Sequence, residues 1–328
     1  MMSRLNLWLL LALALAFAAS LLAGRVWIDP FVPPFAGAEL ILIDLRLPRA
    51  CLAVLVGAGL GSAGAAMQAY LRNPLADPGL FGIAPSAALG AVLSLWLGAY
   101  GLKLGAWALP LFALLGAGGA MALLGLIAAR GGAALFTLAG MMIASLSGAL
   151  MSLAISLAPS PFALSEIVVW LMGALADRSW SEVWVALPLT LAGLGAFWLA
   201  APALDALTLG EATARSLGVD PRRLQMLLIL GVGCTVGGSV AVAGVIGFVG
   251  LVVPHLLRPL TDKRPSSLIL PSALGGGLLL LLADSLCRLI PLAGGELRLG
   301  IALSLLGAPF FLALLWRMRR EGFRGGWA

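Results

Sequence analysis

Apolar runs alternate with short polar breaks along almost the whole chain. Ten runs read as spans: 5–24, 50–71, 79–100, 104–129, 133–157, 183–203, 224–242, 244–260, 268–290 and 299–316. Most approach the ~20 residues a helix needs to cross the hydrocarbon core of a bilayer. Such long continuous runs predict helices, since a barrel would show short alternating segments. The run 164–175 is too short to cross and predicts a helix at the outer surface, with Trp170 and Trp180 near the interface. The least distinct boundary is 242–244, where glycines permit a tight turn in one long run. Arg4 precedes the first run, and Ala16-Phe17-Ala18 has the form of a signal-peptidase site. The run continues past that site, which predicts a retained first helix.

Composition agrees. Of 328 residues, 62% are hydrophobic and 10% charged, with a mean hydropathy of +1.08. That is too little polar surface for a soluble particle, where about 25% of residues are charged. The fold class is therefore an all-α polytopic membrane protein with about ten transmembrane helices, forming a single transmembrane domain over 1–328. The net charge is +6, but the basic residues are scattered and form no stripe for nucleic acid. Ten spans put both termini on one side. Of the Lys and Arg residues, thirteen then fall on that side and seven on the other, so the positive-inside rule places both termini in the cytoplasm. Cys51, Cys234 and Cys287 lie in apolar runs without metal-ligand spacing, and the sole histidine, His255, reads as structural. No cofactor is expected.

A faint internal repeat appears at an offset of 174 residues, pairing Arg49 with Arg223, Gly57 with Gly231, Gly59 with Gly233 and Gly64 with Gly238. Five spans separate the copies, so they run in opposite directions, the inverted repeat of many transporters. Gly57, Gly59, Gly61 and Gly64 crowd one span, where small residues allow close helix approach. The lysines, Lys103 and Lys263, lie in no phosphate-cradling loop, and no nucleophile–base motif occurs, so the chain has no recognisable ATPase or hydrolase machinery. The clearest deep carboxylate, Asp284, has Arg288 one turn later as a partner. That self-pairing argues against an ion-coupled secondary transporter, the alternative reading.

The most polar connection is 205–223. Thr208-Leu209-Gly210-Glu211 reads as a capping box, Gly218 as a helix stop, and Asp220-Pro221 as the cap and first turn of another helix. Two short helices form a rigid cytoplasmic elbow, either a docking element or a surface feature without a partner.

Leu45-Arg46-Leu47-Pro48-Arg49, Gln68 and Arg72-Asn73-Pro74-Leu75-Ala76-Asp77-Pro78 resemble the permease subunit of binding-protein-dependent ABC importers for iron-siderophore, haem and cobalamin. The likeness continues through Trp170-Leu171-Met172-Gly173, Gly210-Glu211 with Ala214 and Leu217-Gly218-Val219, Gly247-Phe248-Val249-Gly250, Pro254-His255, Ala283-Asp284 and Gly307-Ala308-Pro309. Ala174 and Arg298 depart from it, standing where the family favours Ser and Pro. The resemblance implies a homodimer in the bacterial inner membrane, two cytoplasmic ATP-binding subunits and a periplasmic substrate-binding protein. It implies a metal-chelate cargo, ferric siderophore first, then cobalamin or haem. It assigns docking of the binding protein to Arg46, Arg49 and Arg288. ATPase coupling goes to Thr208, Gly210, Glu211, Ala214, Leu217, Gly218 and Val219. The path falls between the fifth and tenth spans, here with Ser145, Ser147, Ser152 and Ser304. Interfacial snorkelling to lipid is the alternative for the arginines.

Overall fold

The computed structural model describes residues 4–24, 37–128, 132–290 and 295–324, and up to residue 316 for side chains. The expected architecture is present: an all-α bundle. In chain order it comprises α1 (Arg4–Leu22), α2 (Ala38–Tyr70), α3 (Ile83–Ala99), α4 (Ala108–Ala128), α5 (Gly132–Ser156) and the short α6 (Pro161–Leu171). There follow α7 (Trp180–Leu207), α8 (Glu211–Ser216), α9 (Pro221–Ala243), α10 (Val249–Leu257), α11 (Pro265–Leu289) and α12 (Leu299–Arg324). Eight of these are long and apolar enough to cross a membrane, and α3 and α10 are shorter. Arg25 and Arg130, counted in the charge split, lie outside the described residues.

Local chemistry sets the helix ends. Ser179 accepts from the Ser181 amide and forms a capping box with Glu182 at the start of α7. Asp220 accepts from the Arg222 amide at 2.9 Å, with Pro221 in the first turn of α9. The eighth expected span, 244–260, is different from its reading. Gly244 to Phe248 are non-helical, and α10 has only 9 residues, or about 13 Å at 1.5 Å per residue.

The centre is α2 against α11. A Cβ on Gly57 would lie 2.2 Å from the Gly276 oxygen, and one on Gly61 would lie 2.1 Å from the Ser272 oxygen. Backbone therefore touches backbone, which suits a bilayer, where no hydrophobic effect drives helices together. Gly57–Gly276 and Arg49–Asp284 fix the two helices as antiparallel. Arg46 meets the end of α1, so α1 ends, α2 begins and α11 ends on one face. On the opposite face Asp205, near the end of α7, accepts from the Ser266 amide at 2.8 Å at the start of α11. The elbow and α9 begin there too. Helices α2 and α9 thus run in opposite directions, and Leu47 and Pro221 stand at the repeat offset, as an inverted repeat requires.

Candidate functional site

Arg46, Arg49 and Arg288 come together on the face where α1 ends. They do not project from it. Arg46 is 8% exposed and Arg288 5%. Arg46 Nη1 donates to the carbonyls of Leu21 (2.8 Å) and Leu22 (2.9 Å), and Arg288 Nη1 to those of Ser20 (3.1 Å) and Ala23 (3.3 Å). These are carbonyls at the C-terminal end of α1, where the helix dipole is negative and oxygens lack helical partners. Arg49 grips Asp284 through Nε (2.9 Å) and Nη2 (2.8 Å), and its Nη2 also donates to Glu296 at 2.7 Å. Arg288 lies 3.3 Å from Asp284, so the expected pair exists, but the two-pronged contact belongs to Arg49. The three arginines assigned to docking are thus largely buried and bonded to carbonyls and carboxylates of the same chain.

The elbow is present, with two corrections: only its first helix is short, since the helix that Asp220-Pro221 opens is the start of the long α9, and its first helix is capped differently. Thr208 does not cap α8. Helix α7 continues to Leu207, and Thr208 ends it, its hydroxyl donating to the Asp205 carbonyl at 2.7 Å. Gly210, at φ +106°, precedes α8 instead, without a side-chain cap. Glu211 pairs loosely with Arg215 at 4.0 Å rather than reaching back. The exit is as expected: Gly218 has φ +87°, its amide donates to Arg215 and the Val219 amide to Ala214, a complete Schellman stop. Ala214 is buried, whereas Leu209 and Leu217 are exposed. A cavity of about 530 Å3 lies beneath, lined by Tyr70, Glu211, Arg215, Asp220 and Arg222 among others.

The path serines divide. Ser145, Ser152 and Ser304 lie on exposed faces of α5 and α12. Ser147 is buried, its hydroxyl 2.7 Å from that of Ser86 on α3, a helix-to-helix contact.

Sequence reasoning assigned no role to a cluster beside two connections, 71–82, which holds one 3-10 turn at Pro78–Leu80, and the non-helical 244–248. Gln68 Nε2 donates to the Gly250 and Leu251 carbonyls at 3.2 and 3.3 Å, and Arg258 Nη2 donates to Gln68 Oε1 at 2.9 Å. Burial raises the pKa of Asp77 above the usual carboxylate value, while the Gly79 and Phe248 amides pull it back. A cavity of about 470 Å3 adjoins, lined by Asp77, Pro78, Met151, Phe248 and Phe311 among others. Asp77 and Gln68 stood out as polar residues beside apolar spans, but no local pattern shows their partners. Among the described residues, no group of His, Cys, Asp and Glu is arranged to hold a metal ion.

Comparison with known proteins completes the picture. A family model described as the FecCD transport family matches residues 7–317. The vitamin B12 import system permease proteins BtuC of Salmonella typhi and Salmonella newport (strain SL254) are each 40% identical over 320 residues, covering 95% of this chain and 96% of theirs. Among solved structures, an inward-facing conformation of a metal-chelate type ABC transporter matches with a TM-score of 0.87 and 31% identity. It covers 96% of this chain and 99% of that chain. PsaBC from Streptococcus pneumoniae in complex with Fab matches at TM-score 0.51 and 19% identity over 81% of this chain and 90% of that one, a likeness of fold alone.

Proposed function

The chain belongs to the FecCD transport family, and on that premise we propose that it is the membrane permease subunit of an ABC importer for a metal chelate. The curated relatives are named as import permeases, and in this reading a separate ATPase supplies the energy. The supporting observation is the elbow, a short helix with a complete glycine stop that leads into α9, on the face where α7 ends and α11 begins, with Leu209 and Leu217 exposed. We read 1–328 as one permease domain that pairs as a homodimer in the inner membrane with both termini cytoplasmic. Two ATP-binding subunits dock on Thr208, Gly210, Glu211, Ala214, Leu217, Gly218 and Val219. A periplasmic binding protein meets the opposite face, framed by Arg46, Arg49 and Arg288. There Arg49 is the arginine that abuts a partly exposed carboxylate, Glu296.

The cargo is a bulky metal chelate, ferric siderophore or cobalamin before haem. The composition favours the siderophore no more than the others, and the vitamin B12 relatives bring cobalamin level with it. The exposed walls of α5 and α12, with Ser145, Ser152 and Ser304, offer few strong anchors, which suits a conduit that releases its load. An ion-coupled carrier needs a carboxylate open to a cation, whereas Asp284 is held by two arginines. Uptake of labelled cobalamin, ferric siderophore and haem by cells with and without the gene is the test. Uptake of any one that depends on the gene and on ATP supports the reading; ion-gradient dependence without ATP overturns it.

A further inference from the structure

Helix α10 contains a proline, Pro254, whose ring nitrogen carries no hydrogen. In an α-helix that nitrogen would serve the carbonyl four residues back, here that of Gly250, which is buried. A buried carbonyl without a donor is costly, most of all in a membrane, where neighbouring groups must satisfy what a proline frees. The donor comes from another helix. Gln68 Nε2, near the end of α2, reaches the Gly250 carbonyl at 3.2 Å and the adjacent Leu251 carbonyl at 3.3 Å. Gln68 is 1% exposed. Its amide is fixed in that sense, because Arg258 Nη2 donates to Oε1 at 2.9 Å and a guanidinium has no acceptor. One turn earlier on the same face of α2, Gly64 lets the two backbones close: a Cβ there would overlap the Gly250 oxygen. We propose that Gln68 is a positioning residue that stands in for the amide Pro254 lacks, splinting the first turn of α10 to the end of α2.

What the splint holds in place lies on the next residue. His255 sets its ring edge-on against Phe310 of α12, with centroids 5.8 Å apart and planes at 73°. Without the Gln68 donor the Gly250 carbonyl is left bare, and α10 shifts to relieve it, which carries His255 off Phe310. The consequence for transport rests on the permease reading, in which α12 is a wall of the path that the splint keeps in register with α2. The same geometry supplies a rescue: Pro254→Ala restores the backbone donor, and Gln68 becomes dispensable.

His255 is the sole histidine of the chain, so it serves as the probe. Full-length permease with ring-labelled histidine, in lipid nanodiscs and without a histidine tag, gives one imidazole to follow by NMR. Phe310→Leu, made in each background, removes the facing ring and marks where the signal stands when the contact is lost. Gln68→Leu should move the signal at least half of the way to that mark. In a Pro254→Ala background the same substitution should move it less than a quarter of the way. Loss of the Arg258 contact is common to both backgrounds and cancels in the comparison. If Gln68→Leu does not fold, Gln68→Met fills the same space without a donor and should act in the same direction. An unmoved signal in the first background, or an equal displacement in both, overturns the proposal. In cells, Gln68→Leu should lower the maximal uptake rate by more than half and leave the half-saturating cargo concentration in place, and Pro254→Ala should restore most of the loss. Absence of uptake by the wild type counts against the permease reading, while the imidazole signal still decides the role of Gln68.

Discussion

Asp284 is 1% exposed and faces two guanidinium groups, so its charge is the hinge of the arginine cluster where α1 ends. Removing one partner of a buried ion pair leaves the other uncompensated, at a cost of about 3–5 kcal/mol. Asp284→Asn should therefore lower the thermal midpoint of the detergent-solubilised protein sharply. Glu296→Gln, at a side chain 27% exposed, should cost only about 0.2–1 kcal/mol. Equal shifts for the two would mean that Arg49 draws no more from Asp284 than from Glu296. The Arg49–Asp284 contact spans 235 residues of sequence. Sequence displays the local partner, Arg288 four residues away, and hides the distant one, because an i,i+4 spacing is visible on a single helix and a crossing between helices is not.

At the scale of elements, the elbow shows which features are legible. Gly218 and Asp220-Pro221 act through bonds within five residues, so their roles can be read directly. Thr208 was misleading for a tertiary reason: Asp205 ties the end of α7 to Ser266, and α7 runs on into the site where a new cap was expected. Glu211 is thereby demoted. Its exposed pair with Arg215 supports α8 by only about 0.2–0.5 kcal/mol, so Glu211→Gln should leave the thermal midpoint near wild type. Gly218→Val forces a β-branched residue to φ +87° and should abolish cargo-stimulated ATP hydrolysis while the permease still inserts. Stimulation retained in the valine variant would remove the elbow from coupling. The α2–α11 crossing makes a separate prediction. Gly61→Ala places a methyl 2.1 Å from the Ser272 oxygen, so the helices must part. A loss of about 1–3 kcal/mol should follow, measured as a lower thermal midpoint, whereas Gly98→Ala, with nothing within 4 Å, should be neutral.

For the whole molecule, the inverted repeat was faint in sequence because glycine matches are cheap in a chain with 42 glycines. In space α2 and α9 start from opposite faces, as an inverted repeat requires. The charge split predicts the sidedness, and fusions test it. Reporters placed in the 205–223 elbow and after Trp316 should report cytoplasm, and one at Lys103 should report the periplasm. A periplasmic signal from the elbow would refute both the orientation and ATPase docking.

The grip of Arg46 and Arg288 on the end of α1 also has a history in time. Helix α1 leaves the ribosome before α2, and Arg46 and Arg49 follow within one further span. Arg288 and Asp284 arrive some 235 to 268 residues later. At ~5–20 residues per second, Arg49 waits roughly 10–50 s for its carboxylate. Through that interval the early helices hold a cation whose counter-charge has not been made, at the margin of the bilayer where water still reaches it. Only when α11 enters does the outer end close, so the last quarter of the chain fastens the first, and a nascent permease cut short before Pro265 carries the unpaired arginine as a mark of its incompleteness.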